Sequence, residues 1–339
     1  MVRQLGENKN RLLARREWAF CCALAVLTAF AYARTFSNGF VHLDDPAQLT
    51  ANPRVLGGIT WGNFLWSFTG ESVAQPLTWL AYAGLNRAFG LNPAIFHGVS
   101  LLLHVLNALL LFEFFRRSTG GFWPSAAVAS LFALHPINVE SVAWVAELNN
   151  VLSGTFFMLT LLAYPAYARR PTPVRYVMVM LIFGFGLLAK QVLMTLPFLL
   201  LLLDIWPLER VRVHKSEGRV SLEGEPLRRL VLEKVPFICM SLLTFVAAVS
   251  AWGTHSRIIG FEVVPLGLRV SNAVVSYLRY LEKIFVPSGL APLYAYPSSM
   301  EPVKAILSFC MVAGVAVYGV LSAAKKPWLL VGWLWFVGV

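Results

Sequence analysis

An all-α, polytopic membrane fold is what this sequence predicts, and three observations carry the prediction. Of 339 residues, 58% are hydrophobic and only 13% charged. Apolar runs of about membrane-spanning length recur from Trp18 onward. Lys and Arg collect in short segments between those runs, as they do in the cytoplasmic loops of multispanning proteins. The formal charge of +11 follows from those segments, and with no RNA or DNA motif beside it nucleic acid is not an expected partner. Cys21, Cys22, Cys239 and Cys310 all lie inside apolar runs without C-x-x-C or Cys/His spacing. They read as small buried apolar residues, neither disulfides nor zinc ligands.

Residues 1–17 form a polar tail with Arg3, Lys9, Arg11, Arg15 and Arg16, which places the amino terminus in the cytoplasm. The apolar run Trp18 to Ala33 follows and crosses outward; its A-Y-A ending is also the pattern of a cleaved signal peptide. Residues 34–92 make a long, aromatic first outer loop whose segments around Trp61, Trp66 and Trp79 suit short interfacial helices. Near its start, F-V-H-L-D-D-P-A-Q-L-T-A-N-P (Phe40 to Pro53) sets Asp44 beside Asp45 in a protein poor in acids. Two carboxylates at a membrane edge are where a general base can sit, since each raises the cost of ionising the other. The same residues also read as a solvated turn, because Asp and Pro favour turns.

Pro93 to Phe112 places His97, His104 and Asn107 on about one helix face, either bonding between helices or lining a polar path. Arg116 and Arg117 return the chain to the cytoplasm, and Phe122 to Leu134 crosses again to H-P-I-N-V-E-S-V-A-W. His135 and Glu140 then stand in a second outer loop, about 136–150, on the side of Asp44 and Asp45. Val151 to Ala168 returns inward to Arg169 and Arg170. The stretch from Tyr176 to Leu203 reads as two short helices meeting near Lys190 on the outer side, because one long helix would put the basic segment Arg210 to Arg229 outside. Val235 to Trp252 crosses outward and Ala305 to Ala324 inward to Lys325 and Lys326, leaving 253–304 as a third outer loop. Within it Leu266 to Val286 carries Arg269, Asn272, Ser276, Arg279 and Lys283 as one polar stripe, the mark of an interfacial helix or of one facing a polar cavity. The final run, Pro327 to Val339, is shorter than a span, and the sequence reads as incomplete at its carboxyl end.

Several of these stretches together resemble one family: F-V-H-L-D-D-P, P-L-T-W-L, F-G-L-N-P, L-L-L-H-V-L-N, L-F-A-L-H-P-I-N-V-E-S-V-A-W-V, G-L-L-A-K and T-L-P-F-L-L-L-L-L-D-I-W-P-L. They look like bacterial multispanning proteins with tetratricopeptide repeats, similar to the transmembrane and tetratricopeptide-repeat O-mannosyltransferases of the GT-C fold. The resemblance implies a GT-C-like domain over 18–339 in a bacterial inner membrane, with a repeat domain beyond Val339. It further implies transfer of a monosaccharide from a polyprenyl-phosphate donor to a hydroxyl on a protein or glycan, outside the cytoplasm and without a cofactor. Asp44 and Asp45 match the family's acidic pair, His135, Pro136 and Glu140 its second outer motif, and Lys190 its lysine.

The sequence departs from that pattern at W-V-A-E-L-N-N-V-L-S, where relatives usually read W-V-A-E-R-K-D-V-L-S, so Asn149 and Asn150 replace a base and an acid. Gln75 likewise stands where many relatives have His. A lipid-phosphate sugar is already activated, so the protein must mainly deprotonate the acceptor and hold the leaving phosphate. Asp44 or Asp45 is the expected base, and Lys190, Arg269, Arg279 or Lys283 the expected phosphate contact; no metal is required. The competing expectations are a non-catalytic anchor for a repeat domain, favoured by Asn149 and Asn150, and a transporter using His97, His104 and Lys190.

Overall fold

Helices carry nearly all the regular structure of this polytopic, all-α membrane protein. The computed structural model describes residues 2–69, 75–216, 219–253, 259–297 and 299–338. In order they form α1 (Val2–Ala31), α2 (Pro53–Leu56), α3 (Trp61–Ser67), α4 (Pro76–Phe89), α5 (Pro93–Thr119), α6 (Phe122–Leu134), α7 (Val139–Ala143) and α8 (Leu148–Arg169). There follow α9 (Pro173–Ala189), α10 (Leu196–Ile205), a hairpin of β1 (Val211–Ser216) and β2 (Arg219–Gly224), α11 (Leu227–Gly253), α12 (Leu266–Phe285), α13 (Pro302–Ser322) and α14 (Pro327–Gly338). Among the described residues, four helical stretches are long and apolar enough to cross a membrane: Pro93–Thr119, Val145–Arg169, Leu227–Ala251 and Pro302–Ser322. Phe122–Leu134 and Pro136–Ala143, bent by 47° at the His135-Pro136 step, make a fifth if taken as one span. The run from Trp18, expected to cross first, is the second half of α1; α1 is not among these spans because polar residues fill its first half.

The chain divides into two units, Met1–Ser67 with Leu77–Leu162, and Phe68–Pro76 with Ala163–Val339. In the first, α1, α5 and α6 pack around Leu24, Phe112 and the small residues Ala108, Ala126, Ala129 and Ala133, which let the helix backbones approach closely. A second core lies under the first loop, where Leu49, Val55, Tyr82 and Phe96 meet Val142, Val145 and Leu148. Leu49 and Val55 are fully buried there, each contributing about 1.5–3 kcal/mol and so anchoring the loop. Asn107 ties α5 to α8: its side-chain amide donates to the Val151 carbonyl at 2.8 Å and its oxygen accepts from Thr155 at 2.8 Å. His104 meets the Ala133 carbonyl of α6 at 3.0 Å, so it and Asn107 take up the interhelical bonding expected of them. The cysteines differ from expectation: Cys22, Cys239 and Cys310 are exposed. They lie in α1, α11 and α13 respectively.

The second unit has the expected break at Lys190, where α9 ends and a 3-10 turn leads into α10. The basic segment from Arg210 is not a simple loop. It pairs antiparallel, Val211 opposite Gly224 and Ser216 opposite Arg219, and leads from α10 to α11. A buried ion cluster sits at this junction. Asp204 of α10 accepts from Tyr164 at 2.6 Å and Arg210 at 3.1 Å, and pairs with Lys234 of α11. Arg210 in turn holds Glu233 with two bonds of 2.9 Å and Glu225 with bonds of 3.0 and 3.1 Å.

Two outcomes follow from this junction. Gly224 has φ +120°, and a Cβ there would stand 2.2 Å from the Arg210 carbonyl oxygen. Gly224→Ala is expected to cost on the order of 1–3 kcal/mol, read as a lower thermal midpoint of the detergent-purified protein; an unchanged midpoint contradicts it. The guanidinium of Arg210 holds the Glu225 carboxyl below its ordinary value of 4.5, against a smaller upward push from burial. That stabilisation is therefore present above the unfolded-state value and lost as pH falls through the lowered folded one. Acidification from about pH 5 to pH 3 should depress the midpoint of the natural protein more than that of Glu225→Gln. Parallel curves would show that the pair does not act this way.

Candidate active site

The first loop turns sharply at its acidic pair. Asp45 takes helical angles, φ −57° and ψ −37°, although a residue before proline favours extended ones. Two charge-assisted bonds offset that preference: its Oδ2 accepts the Val41 N–H at 2.6 Å and its Oδ1 the Ala146 N–H at 2.9 Å. The hydroxyl of Tyr82, in α4, donates to the Val145 carbonyl at 2.8 Å. That carbonyl and the Ala146 N–H belong to one peptide unit, which is thus gripped at both ends. Burial first, and then the charges of Asp45 and Glu147, push the Tyr82 hydroxyl well above its ordinary value, so it remains a neutral donor.

The two neighbouring aspartates occupy opposite environments. Asp45 is 0% exposed, with both oxygens engaged, whereas Asp44 is exposed. An exposed carboxylate can exchange protons with an acceptor; a buried one held by two amides fixes a shape. His97, buried in α5, lies within electrostatic range of Asp45 and beside the backbone of Asn38 and Gly39.

The second motif, expected outside, is placed by the same packing. His135 ends α6 in an extended conformation, as the following proline requires, and its Nδ1 accepts from the Ile137 N–H at 3.2 Å. Glu140 lies exposed on the short α7, six residues before the peptide that Asp45 holds. Asn150, one of the two departures, donates to Ser141 at 3.1 Å and also to Glu147. Asn149 is buried.

The remaining expected residues belong to the second unit. Lys190 is half-buried at the break after α9. On α12 the expected polar stripe is present, but its cations differ in availability. Arg269 donates to the carbonyls of Val264, Ile259 and Gly260 at 2.6–3.0 Å, and Lys283 to those of Ser288 and Gly289. Both secure the chain at the ends of their own helix. The Arg279 guanidinium makes no hydrogen bond or ion pair among the described residues and lies within electrostatic range of Glu301. It lines a cavity of about 480 Å³ together with Asn272, Ser276, Tyr280, Tyr294 and Tyr296.

The similarity is to protein O-mannosyl-transferases. The chain is 33% identical over 163 residues to Protein O-mannosyl-transferase Tmtc2 of Drosophila melanogaster, covering 44% of this chain and 17% of that protein. It is 34% identical over 152 residues to Protein O-mannosyl-transferase TMTC1 of Homo sapiens, 42% of this chain and 17% of the relative. With human TMTC2 the identity is 37% over 144 residues, 39% of this chain and again 17% of the relative. The chain thus spans about a sixth of the length of these relatives. No family model and no solved structure matches it.

Sequence reasoning missed Tyr82 and the Val145–Ala146 peptide, because a bond to backbone leaves no residue-type signature. It also passed over the ion cluster, although Asp204 at the end of an apolar run and Lys234 at the start of another were visible signals. The clamp makes a measurable prediction. Asp45→Asn and Tyr82→Phe should each lower the thermal midpoint, at about 1–3 kcal/mol per buried group left unpaired. Because both hold one peptide, the double variant should lose less than the sum of the singles. Strict additivity would separate them.

Proposed function

We propose that this chain is the membrane part of a glycosyltransferase that moves a monosaccharide from a polyprenyl-phosphate donor to a hydroxyl acceptor, a protein Ser or Thr or a glycan. The observation that carries this reading is the division of the acidic pair, one carboxylate buried in a backbone clamp and its neighbour exposed. The activity for which the similar proteins are named supports the class of reaction. Asp44 takes the proton of the acceptor hydroxyl. The acceptor oxygen bonds to the anomeric carbon, the bond from that carbon to the phosphate oxygen breaks, and polyprenyl phosphate leaves with the electron pair. Asp45 positions the loop that presents Asp44.

Arg279 holds the leaving phosphate, since it is the stripe cation that its own backbone does not engage, and Lys190 adds positive charge. His135 and Glu140 contact the acceptor or the sugar. In this reading residues 18–339 are a GT-C-like domain in a bacterial inner membrane, with 1–17 cytoplasmic, the loops 34–92, 136–150 and 253–304 outside, and a tetratricopeptide-repeat domain following.

A second reading, a non-catalytic anchor for such a domain, draws on Asn150, whose neutral amide joins Glu147 and Ser141 where relatives carry an acid. Sugar transfer by the full-length protein in membranes separates the two. Asp44→Asn should reduce the rate on the order of a hundredfold with the fold intact. Arg279→Gln should raise the apparent donor KM. Wild-type transfer by Asp44→Asn would remove its base role; no transfer by the natural protein across a panel of donors and acceptors would favour the anchor.

A further inference from the structure

We propose that the protein holds the headgroup of an acidic phospholipid in a cavity at the carboxyl end of α13, apart from any donor site. The cavity has a volume of about 880 Å³ and is lined by Trp206, Glu209, Arg212, Lys325, Lys326 and Trp328, among others. That volume falls within the range of about 300–1,000 Å³ typical of small-molecule sites. Three cations face one carboxylate. Arg212 is paired with Glu209 at 2.6 Å, while the side-chain ammonium groups of Lys325 and Lys326 have no hydrogen bond or ion pair among the described residues. Two uncompensated positive charges therefore border the cavity.

Its position selects a lipid as the source of the anion. Helix α13 has 21 residues, so it rises about 31 Å, the thickness of a hydrocarbon core. Lys325 and Lys326 follow its last turn and so stand at headgroup level, where two tryptophans also fit the interface. Ile205, Leu321 and Pro327 supply apolar wall on which the glycerol and upper acyl carbons can rest. A soluble anion would use the lysines but gain nothing from that wall. The Arg279 cavity instead lies among Tyr294, Tyr296 and Pro297, in the segment preceding the amino end of α13, so the two cavities flank opposite ends of one span.

Native mass spectrometry of the detergent-purified full-length protein, titrated separately with phosphatidylglycerol and with phosphatidylcholine of the same acyl chains, tests the proposal. The natural protein should retain phosphatidylglycerol in preference. Lys325→Gln with Lys326→Gln should weaken that retention on the order of tenfold or more, and Lys325→Arg with Lys326→Arg should restore it. Equal retention of the two lipids, or of phosphatidylglycerol by the natural protein and the Gln variant, would overturn it. Displacement of phosphatidylglycerol by millimolar inorganic phosphate would also overturn it, identifying a soluble-anion site. Should the Gln variant prove unstable, Trp328→Ala provides a second reading through the same retention ratio: a lower ratio supports the headgroup site and an unchanged one counts against it.

Discussion

A single peptide unit, Val145–Ala146, fixes the geometry of the first unit. Its carbonyl receives the Tyr82 hydroxyl and its amide is received by the Asp45 carboxylate, both in a buried setting. Water cannot replace either partner there, so losing one leaves a polar group with no alternative. The bonds span 63 and 101 positions of sequence, which makes this peptide the point where the first loop, α4 and the segment after α7 are held together. The exposure of Asp44 is a consequence. With Asp45 turned inward to reach two amides, the backbone carries its neighbour outward.

The same constraint governs the second unit on a larger scale. Around Asp204 three carboxylates, Asp204, Glu225 and Glu233, meet three cations, Arg210, Arg229 and Lys234. Asp204 and Lys234 are almost wholly removed from solvent, at 1% and 0% side-chain exposure, so each has the other as an ionic partner in place of water. Such a pair is weak support for stability, because desolvation offsets much of its attraction, but breaking it leaves an isolated buried charge at a cost of about 3–5 kcal/mol. Its consequence is registry. Arg210 begins the hairpin, and with its guanidinium committed to Glu225 and Glu233 the strands can start from one place only. Burial alone would lower the Arg210 value, yet its bonds to Glu233 and Glu225 outweigh that and raise it.

What could be read from the sequence followed the distinction between side-chain pattern and backbone contact. Apolar runs located four spans but also suggested one at Trp18 that is not among them, the period of the polar stripe gave α12, and the unfavourable alternative of an external basic segment gave the break at Lys190. The hairpin went unseen although R-V-R-V alternates, because a charged segment between apolar runs is sufficiently explained by orientation in the membrane. The acidic pair was legible as a place of interest, while the difference between its members was not. That difference depends on which oxygen finds an amide 101 positions away.

The α12 stripe shows how the same limit applies to charge. From sequence, Arg269, Arg279 and Lys283 are equivalent cations on one face. In the fold, Arg269 and Lys283 are near the helix ends, where carbonyls of the flanking chain accept bonds from them. Arg279 sits between, one turn from Lys283, with its nearby carbonyls already bonded within the helix. An anion approaching this face therefore meets one guanidinium whose donors are open and two cations that would have to abandon backbone partners. Periodicity identified the face, and distance from the helix ends determines which charge on it remains free to bind.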